Sequence, residues 1–414
     1  MVVPKSALLA ILLAMIAGTR CNQPFTAEHI GGGLITVSNQ VFSTSLFETV
    51  RSVKGSLVLS PLSTQAFVTM AWLASNGTTA RQMESALNLI RDGQQFFILG
   101  FKNLFADFRN TTTVTVDIAN RLFLQSNKNF HVRGTFQEAM REGFQSEVKE
   151  VDFATQLSEA RSIINEWVQE NTHGEITDLL SEGTVSETTQ LVGVNALYFK
   201  GSWAKPFDEQ QTTMEPFHVT PNTTVTVPMM HKKEYVMYAN NPDLGYQAII
   251  MRYRGMVDDP TGDDQTTSML ILLPYEGESL SCVESFVAAG NLSQLIANMA
   301  FCEVNISLPR FKIEGSLNLI SALNKLGITD LFKEEADLSA MTNRTVFLNN
   351  VFQKTVVEVT EKGIEEEASA ATSTDPVPIK GSPPEFKADR PFTFVIRDSF
   401  YHVNLVIGRV VQPN

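Results

Sequence analysis

The sequence has few cysteines, which excludes a fold that depends on a disulfide framework. Only three occur in 414 residues, and Cys21 lies close to the N-terminal end. Cys282 and Cys302 remain for the body of the protein. A single disulfide between these two is one alternative, but we expect two unrelated buried thiols instead.

Basic residues are also scarce, and this excludes the electrostatic surface that nucleic acid requires. Lysine and arginine number 32 against 45 acidic residues, so the net charge is −13. Binding to a phosphate backbone needs clustered positive charge, and we therefore expect no nucleic-acid partner. The six histidines are scattered, without the spacing of metal ligands, so no metal site is predicted.

Motifs of nucleophilic, metal-dependent and nucleotide-binding enzymes are missing as well. The sequence contains no G-x-S-x-G, H-E-x-x-H, C-x-x-C, G-x-x-x-x-G-K-[ST] or G-x-G-x-x-G pattern. A catalytic triad assembled from distant residues stays open at this stage. The sequence predicts a protein that is not an enzyme and that needs no cofactor.

An apolar run lies at the N-terminus. Lys5 precedes eleven apolar residues, Ala7 to Ala17, and small or polar residues follow as far as Arg20. Eleven residues are too few for a membrane span, which needs about 20. The pattern predicts a signal peptide over residues 1–20 and a secreted, extracellular protein that is not membrane-bound. Six Asn-x-Ser/Thr sequons are candidate glycosylation sites on that route: Asn76, Asn110, Asn222, Asn291, Asn305 and Asn343.

The remaining chain, 21–414, has no linker and no internal repeat, which predicts a single domain. Helical apolar spacing occurs after Ser60-Pro61 and again over 160–168. Short runs of β-branched and aromatic residues predict strands at 114–118, 191–199, 269–273, 355–359, 392–396 and 405–407. Strict strand and helix alternation is absent, so the predicted class is α+β with mostly antiparallel sheets. The segment 254–267 carries four aspartates and is predicted to be a loop.

Several segments together resemble one family, the serpins. They are NALYFKGSWAKPF (195–207), SPLSTQAFVTMAWLASNGTTARQMESAL (60–87), INEWVQENTHGEITDLL (164–180), LPRFKIEG (308–315), LNKLGITDLF (323–332), and DRPFTFVIRD with IGRVVQP near the C-terminus. They occur in the family's order over nearly the whole chain. The resemblance implies three mostly antiparallel β-sheets, about eight or nine helices, and an exposed reactive loop at about 361–384. It also implies a serine protease as partner, and a monomer.

In inhibitory serpins, the resemblance implies, a protease cleaves this loop and the loop inserts into the main sheet while the protease is still acylated. The hinge would comprise Glu361, Gly363, Ile364, Glu365, Glu366, Glu367 and Ala368. Gly363 and Ala368 fit the family pattern, whereas Ile364, Glu366 and Glu367 depart from it. By the resemblance, Ile364 and Glu366 would face the core after insertion, and Glu365 and Glu367 would face outward, since successive residues of a strand alternate between its faces.

Burial of an unpaired carboxylate costs several kcal/mol. We therefore predict a poor or non-inhibitory serpin, acting as a protease substrate or through binding or regulation, with an unknown extracellular partner. The alternative is a suicide-type inhibitor of a trypsin-like serine protease that cleaves after Lys380. Counting residues along the loop from its two ends gives two different scissile bonds, Lys380-Gly381 and Val377-Pro378. Cleavage before proline is unfavourable.

Two further sets of residues follow from the resemblance. Ser60, Ser63 and Asn195 match polar positions beneath the main sheet where it opens, and Gln353 stands where the family usually has histidine. A glutamine can still form bridging hydrogen bonds there. Trp203, Arg310 and Glu361 match the top of the sheet, where the loop would begin to insert.

Overall fold

The computed structural model describes residues 27–111, 113–126, 130–255, 267–362 and 382–413. The predicted signal peptide, most of the acidic 254–267 segment, the hinge from Gly363 to Ala368 and both candidate scissile bonds lie outside these residues. The two ends of the reactive loop, up to Lys362 and from Ser382, are described.

Helices dominate the first half of the described chain. The second helix begins where Ser60 caps it and Pro61 occupies its first turn, and the Ser60 side chain accepts a hydrogen bond from Ser63 N. The described residues form nine α-helices: α1 (Ala27–Val50), α2 (Pro61–Leu73), α3 (Gly77–Leu87), α4 (Gln94–Asn110), α5 (Gly134–Phe144), α6 (Leu157–Glu170), α7 (Leu280–Ala288), α8 (Leu292–Ala297) and α9 (Ile320–Lys325).

All six strands expected from the sequence are present, most of them longer than their apolar runs suggested. The described strands are β1 (Leu57–Leu59), β2 (Val114–Gln125), β3 (Val148–Val151), β4 (Leu191–Gly201), β5 (Thr213–Thr220), β6 (Thr223–Asn241), β7 (Tyr246–Arg252), β8 (Thr267–Pro274), β9 (Ala300–Pro309), β10 (Phe311–Asn318), β11 (Asn350–Val359), β12 (Glu385–Lys387), β13 (Phe392–Asp398) and β14 (Val403–Val410).

The fold is α+β, and the long strand β6 belongs to two groups of strands. The main sheet has the order β10-β11-β4-β2-β3, and the second has β1-β14-β13-β8-β7-β6-β9-β12 with β5 beside β6. The resemblance implied three sheets. Hydrogen bonding joins two of them here, because β6 pairs with β5 through its first residues and with β7 through its last.

The main sheet is covered on both faces, and its central strand β4 is buried along almost its whole length. Residues of β4 that face α6 pack with Ile164 and Val168. On the opposite face, α2 lies so close that a Cβ on Gly193 would stand 2.1 Å from the Phe67 ring. A glycine at that position therefore lets the helix approach the middle of the sheet.

Cys282 and Cys302 are both free thiols, as expected; Cys302 is buried and Cys282 is half-buried. In the part of the chain that is described, no helix has the length and apolar character needed to cross a bilayer.

The C-terminal strand β14 is fastened by a buried ion pair. Arg409 donates to Glu284 Oε1 of α7 at 2.5 Å, and both side chains are less than a tenth exposed. Arg409 also donates to the carbonyl oxygens of Arg51, Val53 and Gly55, just beyond α1. One guanidinium therefore joins β14, α7 and the end of α1.

We expect Glu284→Ala to lower the free energy of unfolding by about 3 kcal/mol, because it leaves the buried Arg409 charge without a counter-ion. Chemical and thermal unfolding of the uncleaved protein measure this loss. Glu276→Ala removes an exposed carboxylate one loop earlier and serves as the matched control. Equal stability of the two variants would contradict the structural role of the pair.

Candidate functional site

The main sheet has a parallel seam at its centre, where β4 and β11 are paired directly. Gln353 lies opposite Asn195 and Glu358 lies opposite Lys200 in this register. Parallel pairing is slightly less stable per residue than antiparallel pairing. The seam is therefore a weak line in the sheet, and three residues, 360–362, separate the end of β11 from residues 363–381.

Buried polar side chains join β11 to β4 on the face of the main sheet that packs on α2. Gln353 is 1% exposed, and its Nε2 lies 2.8 Å from Asn195 Oδ1, 2.7 Å from Thr64 Oγ1 and 3.0 Å from Ser60 O. Its Oε1 accepts from Ser60 N at 3.2 Å. The glutamine thus joins β11 to β4 and to α2 through hydrogen bonds.

Asn120 of β2 extends this network to a third strand. Its Oδ1 accepts from Asn195 Nδ2 at 2.8 Å and from Ser63 Oγ at 3.2 Å. Sequence reasoning identified Ser60, Ser63, Asn195 and Gln353 but missed Asn120 and Thr64. The only signal available was a polar residue in an otherwise apolar strand or helix face. Separation of β4 from β11 must break the Gln353–Asn195 bond inside the core, where such bonds are strong.

A second set of contacts fixes the top of the seam, where β11 ends. Trp203 Nε1 donates to Thr360 O at 2.8 Å, and Phe207 N donates to Glu361 O at 2.9 Å. The Trp203 ring stacks on Tyr253 with centroids 4.4 Å apart. The backbone is therefore held as far as Glu361, two residues before Gly363.

Glu361 itself is a buried carboxylate with two partners. Thr212 Oγ1 donates to Oε1 at 2.9 Å, and Arg310 Nη1 lies 3.6 Å from Oε2. The Glu361 side chain is 6% exposed, whereas that of Arg310 is 51% exposed. The structure brings the three residues expected at the top of the sheet, Trp203, Arg310 and Glu361, into one region.

On the opposite face of the sheet, a hydrogen bond and an ion pair join β11 to β4. Glu358 of β11 accepts from Tyr198 OH at 3.2 Å and pairs with Lys200 Nζ at 3.0 Å, both across the seam on β4. Burial, followed by the charge of Glu358, raises the pKa of the Tyr198 hydroxyl far above its ordinary value, so this group stays a donor. These two contacts also must break if the strands separate.

Residues 171–190, which we name the strap, connect α6 to β4 and contact both sides of the seam. His173 Nδ1 lies 2.7 Å from Asp117 Oδ2 on β2, and Glu175 lies 2.8 Å from Lys312 Nζ on β10. The bond to Asp117 raises the pKa of His173, and burial raises the pKa of Asp117. The strap is thus tied to a strand on each side of the line where the sheet would open.

The C-terminal end of the loop is held at the edge of the second sheet. The three-residue strand β12 pairs in parallel with β9, and Lys387 Nζ lies 2.9 Å from Glu215 Oε2 on β5. His231 Nε2 lies 2.8 Å from the other oxygen of Glu215. The bond to Lys387 holds the pKa of Glu215 below its usual range, so this carboxylate remains charged.

The remaining candidate residues are placed as follows. Five of the sequon asparagines are exposed and Asn291 is half-buried; the exposed ones are Asn76, Asn110, Asn222, Asn305 and Asn343. Over the described ranges, no group of three or more His, Cys, Asp or Glu side chains is arranged to hold a metal ion.

Comparisons with known proteins agree with this geometry. A family model described as Serpin (serine protease inhibitor) matches residues 37–413. A leukocyte elastase inhibitor of Xenopus laevis is 35% identical over 87% of this chain and 93% of its own length. That of Sus scrofa is 35% identical over 92% of this chain and 99% of its own. Among solved structures, Serpin48 of the insect Tenebrio molitor has a TM-score of 0.78 and 27% identity, covering 92% of this chain and 98% of its own.

These relatives show that the non-inhibitory prediction is wrong, because they are named as inhibitors and match the chain almost from end to end. The prediction assumed that a hinge carboxylate entering the sheet would find no partner. That assumption was drawn from the sequence alone, and the hinge from Gly363 to Ala368 lies outside the described residues, so the relatives decide against it.

The prediction of a secreted, extracellular protein with a signal peptide is also wrong on this comparison. Leukocyte elastase inhibitors match the chain, and the one from Sus scrofa is covered over 99% of its length by 92% of this chain. Some residues of this chain therefore have no counterpart in it, and a short apolar run alone does not establish secretion. Use of the sequons stays a prediction.

We expect Gln353→Leu to weaken the closed sheet, because it removes the side-chain hydrogen bonds of Gln353 and leaves buried polar partners unpaired. Loss of these bonds corresponds to about 1–3 kcal/mol, observed as a lower unfolding midpoint of the uncleaved protein. Gln210→Leu alters an exposed glutamine and is the control. A midpoint equal to that of the control would show that the network does not hold the sheet closed.

Proposed function

This chain belongs to the serpin family of serine protease inhibitors, and we propose that it inhibits a serine protease by the suicide route. The protease attacks the reactive loop and forms an acyl ester with it. The freed loop then inserts between β4 and β11 before the ester is hydrolysed. The protein acts as a consumed inhibitor, not as an enzyme, and needs no cofactor.

The observation that carries the proposal is the parallel pairing of β4 and β11 directly upstream of the loop. A strand that follows β11 and runs back beside it is antiparallel to both neighbours. Its insertion therefore replaces one parallel pair by two antiparallel pairs and adds a full row of ladder hydrogen bonds. This gain is the energy source for displacing the protease.

The contacts around the seam supply the barrier that keeps the uncleaved protein in its starting state. Insertion must break the Gln353–Asn195 bond on the face of the sheet that packs on α2. It must also break the Tyr198–Glu358 bond on the opposite face. It must also lift the strap, which is tied to β2 and β10. Each of these contacts involves only one or two side chains, so the sheet can open progressively from the end of β11 that lies next to the loop.

Lys380-Gly381 is our proposed scissile bond. A lysine before the bond suits the acidic pocket of a trypsin-like protease. The carbonyl carbon of Lys380 would form the ester with the protease serine, and the amine of Gly381 would leave with a proton. The names of the relatives favour a second candidate, an elastase that cleaves after an aliphatic residue such as Val377.

We further propose that residues 21–414 work as one serpin unit and as a monomer. The hinge residues Glu361 to Ala368 and the sheet-opening residues Ser60, Ser63, Asn195 and Gln353 would then act in a single chain. Trp203 and Arg310 would guide the first part of the loop into the seam.

The test is incubation of the whole protein with trypsin and, separately, with leukocyte elastase. We expect a covalent complex that survives SDS with one of the two, and release of the peptide that follows the cleaved bond. Cleavage after Lys380 gives residues 381–414, a peptide of 34 residues that mass spectrometry identifies. Lys380→Ala should abolish the complex with trypsin and leave any complex with elastase intact.

Clean cleavage by both proteases, with full recovery of protease activity, would contradict the proposed function. A complex with elastase that Lys380→Ala does not affect would retain the inhibitory function and move the scissile bond to an aliphatic residue.

A further inference from the structure

Among the described residues, the strap forms two ion pairs with the main sheet, and one of them can change its charge near neutral pH. His173 Nδ1 lies 2.7 Å from Asp117 Oδ2 on β2, with the His173 side chain 76% exposed and the Asp117 side chain 15% exposed. The second pair joins Glu175 to Lys312, two residue types that do not titrate near neutral pH. The histidine contact is therefore the one that can respond to pH.

The turn at the start of the strap holds His173 beside Asp117. The His173 backbone has a φ of 48°, in the left-handed region that asparagine and histidine tolerate better than most residues. The preceding Thr172 is fully buried; its Oγ1 donates to Val168 O at 2.8 Å and accepts from Ile176 N at 3.2 Å. The backbone around His173 is thus already fixed, so the ion pair forms at a low cost in conformational entropy.

The other charged groups on this face of the sheet do not neutralise Asp117. Burial raises the pKa of Asp117, and the like charge of Glu175 raises it further. Tyr198, opposite Asp117 on β4, donates its hydroxyl proton to Glu358. The remaining groups have their own partners or are exposed: Lys200 with Glu358, Lys312 with Glu175, Lys354 with Glu314, Arg121 with Glu147, and the exposed Glu170 of α6 and Asp178 of the strap. Within these contacts, His173 is the cation that compensates the Asp117 charge.

The pH range in which the ion pair exists follows from its two members. The hydrogen bond to Asp117 raises the pKa of His173 above its ordinary value of 6.5, so the ring is charged at that pH and loses its charge as the pH rises further. In acid the pair is lost again when Asp117 binds a proton. By linkage, the pair stabilises the closed strap fully below the ordinary histidine pKa and no longer does so once the pH has passed the raised one.

We propose that protonation of His173 regulates how readily the strap leaves the main sheet, and thereby how efficiently the protein traps a protease; this regulation rests on the proposed inhibitory function. The strap is tied to β2 on one side of the seam and to β10 on the other, so it must lift before β4 and β11 separate. When His173 is neutral, one of these two ion pairs is already lost. The sheet therefore opens more readily at mildly alkaline pH than at mildly acidic pH.

The consequence for inhibition follows from the competition between loop insertion and hydrolysis of the acyl ester. A strap that lifts sooner lowers the barrier to insertion, so fewer molecules are hydrolysed before they trap the protease. The activity of the protease also depends on pH. Each variant is therefore compared with the unchanged protein at the same pH.

The first experiment measures hydrogen exchange of the uncleaved protein and needs no protease. Protection factors of the strap amides report local opening of the strap. We expect them to fall about two- to fivefold between about pH 6 and about pH 8.5, as suits the loss of a largely exposed ion pair. His173→Asn is uncharged and should give the low value at both pH values, whereas His173→Lys stays charged and should give the high value at both. His131→Asn alters an exposed histidine outside the strap and is the matched control.

The second experiment measures the ratio of hydrolysed to trapping molecules with the protease that forms the covalent complex, at the same two pH values. We expect His173→Asn to lower this ratio about two- to fivefold at the acidic pH and to leave it unchanged at the alkaline pH. Asp117→Asn should likewise remove the pH dependence, because it removes the other half of the pair. Combining the two changes should have no further effect on the pH dependence.

Strap protection that is equal at both pH values in the unchanged protein would overturn the proposal, and so would a pH dependence that His173→Asn retains. A pH effect on strap protection without any change in the ratio of hydrolysed to trapping molecules would overturn the role of His173 in trapping. If the unchanged protein forms no covalent complex with trypsin or elastase at either pH, the proposed function itself fails. The exchange experiment still decides in that case whether His173 controls the strap.

Discussion

The parallel pairing of β4 with β11 is the constraint on which the rest of this molecule depends. It leaves the main sheet one antiparallel strand short of its best hydrogen bonding. The chain that could supply this strand follows β11 directly. The uncleaved state is therefore stabilised by contacts between β4 and β11. Gln353 bonds Asn195 on the face that packs on α2, and Glu358 contacts Tyr198 and Lys200 on the opposite face.

These contacts differ in how they respond to opening. The lower network is buried and neutral, so its bonds must break inside the core and none is replaced by water at once. The upper contacts are charged and partly exposed, so water can replace them as they break. The upper end of the seam is thus the easier place to begin, and the loop is attached at that end. The strap adds resistance at the same level of the sheet through Asp117, which lies opposite Tyr198, and Lys312, which lies opposite Glu358.

Local patterns predicted the elements well, because the Ser60-Pro61 cap and the apolar runs are properties of neighbouring residues. The resemblance also identified Ser60, Asn195 and Gln353, which the fold brings together. Asn120 and Thr64 were not predicted, because their hydrogen bonds to Asn195 and Gln353 form only when β2 and α2 lie beside the seam. The non-inhibitory prediction, which the relatives contradict, was likewise drawn from neighbouring residues alone, namely the run of hinge glutamates.

A run of glutamates has to be evaluated in both states of a protein that changes its sheet. In the starting state such a run is stabilised by water. In an inserted state a carboxylate would need a partner within the protein. Glu361 indicates that even an inward carboxylate is tolerated at this end, because it is 6% exposed and is stabilised by Thr212 and Arg310. The cost of an acidic hinge therefore depends on which basic and hydroxyl groups line the opening, and this chain places several there.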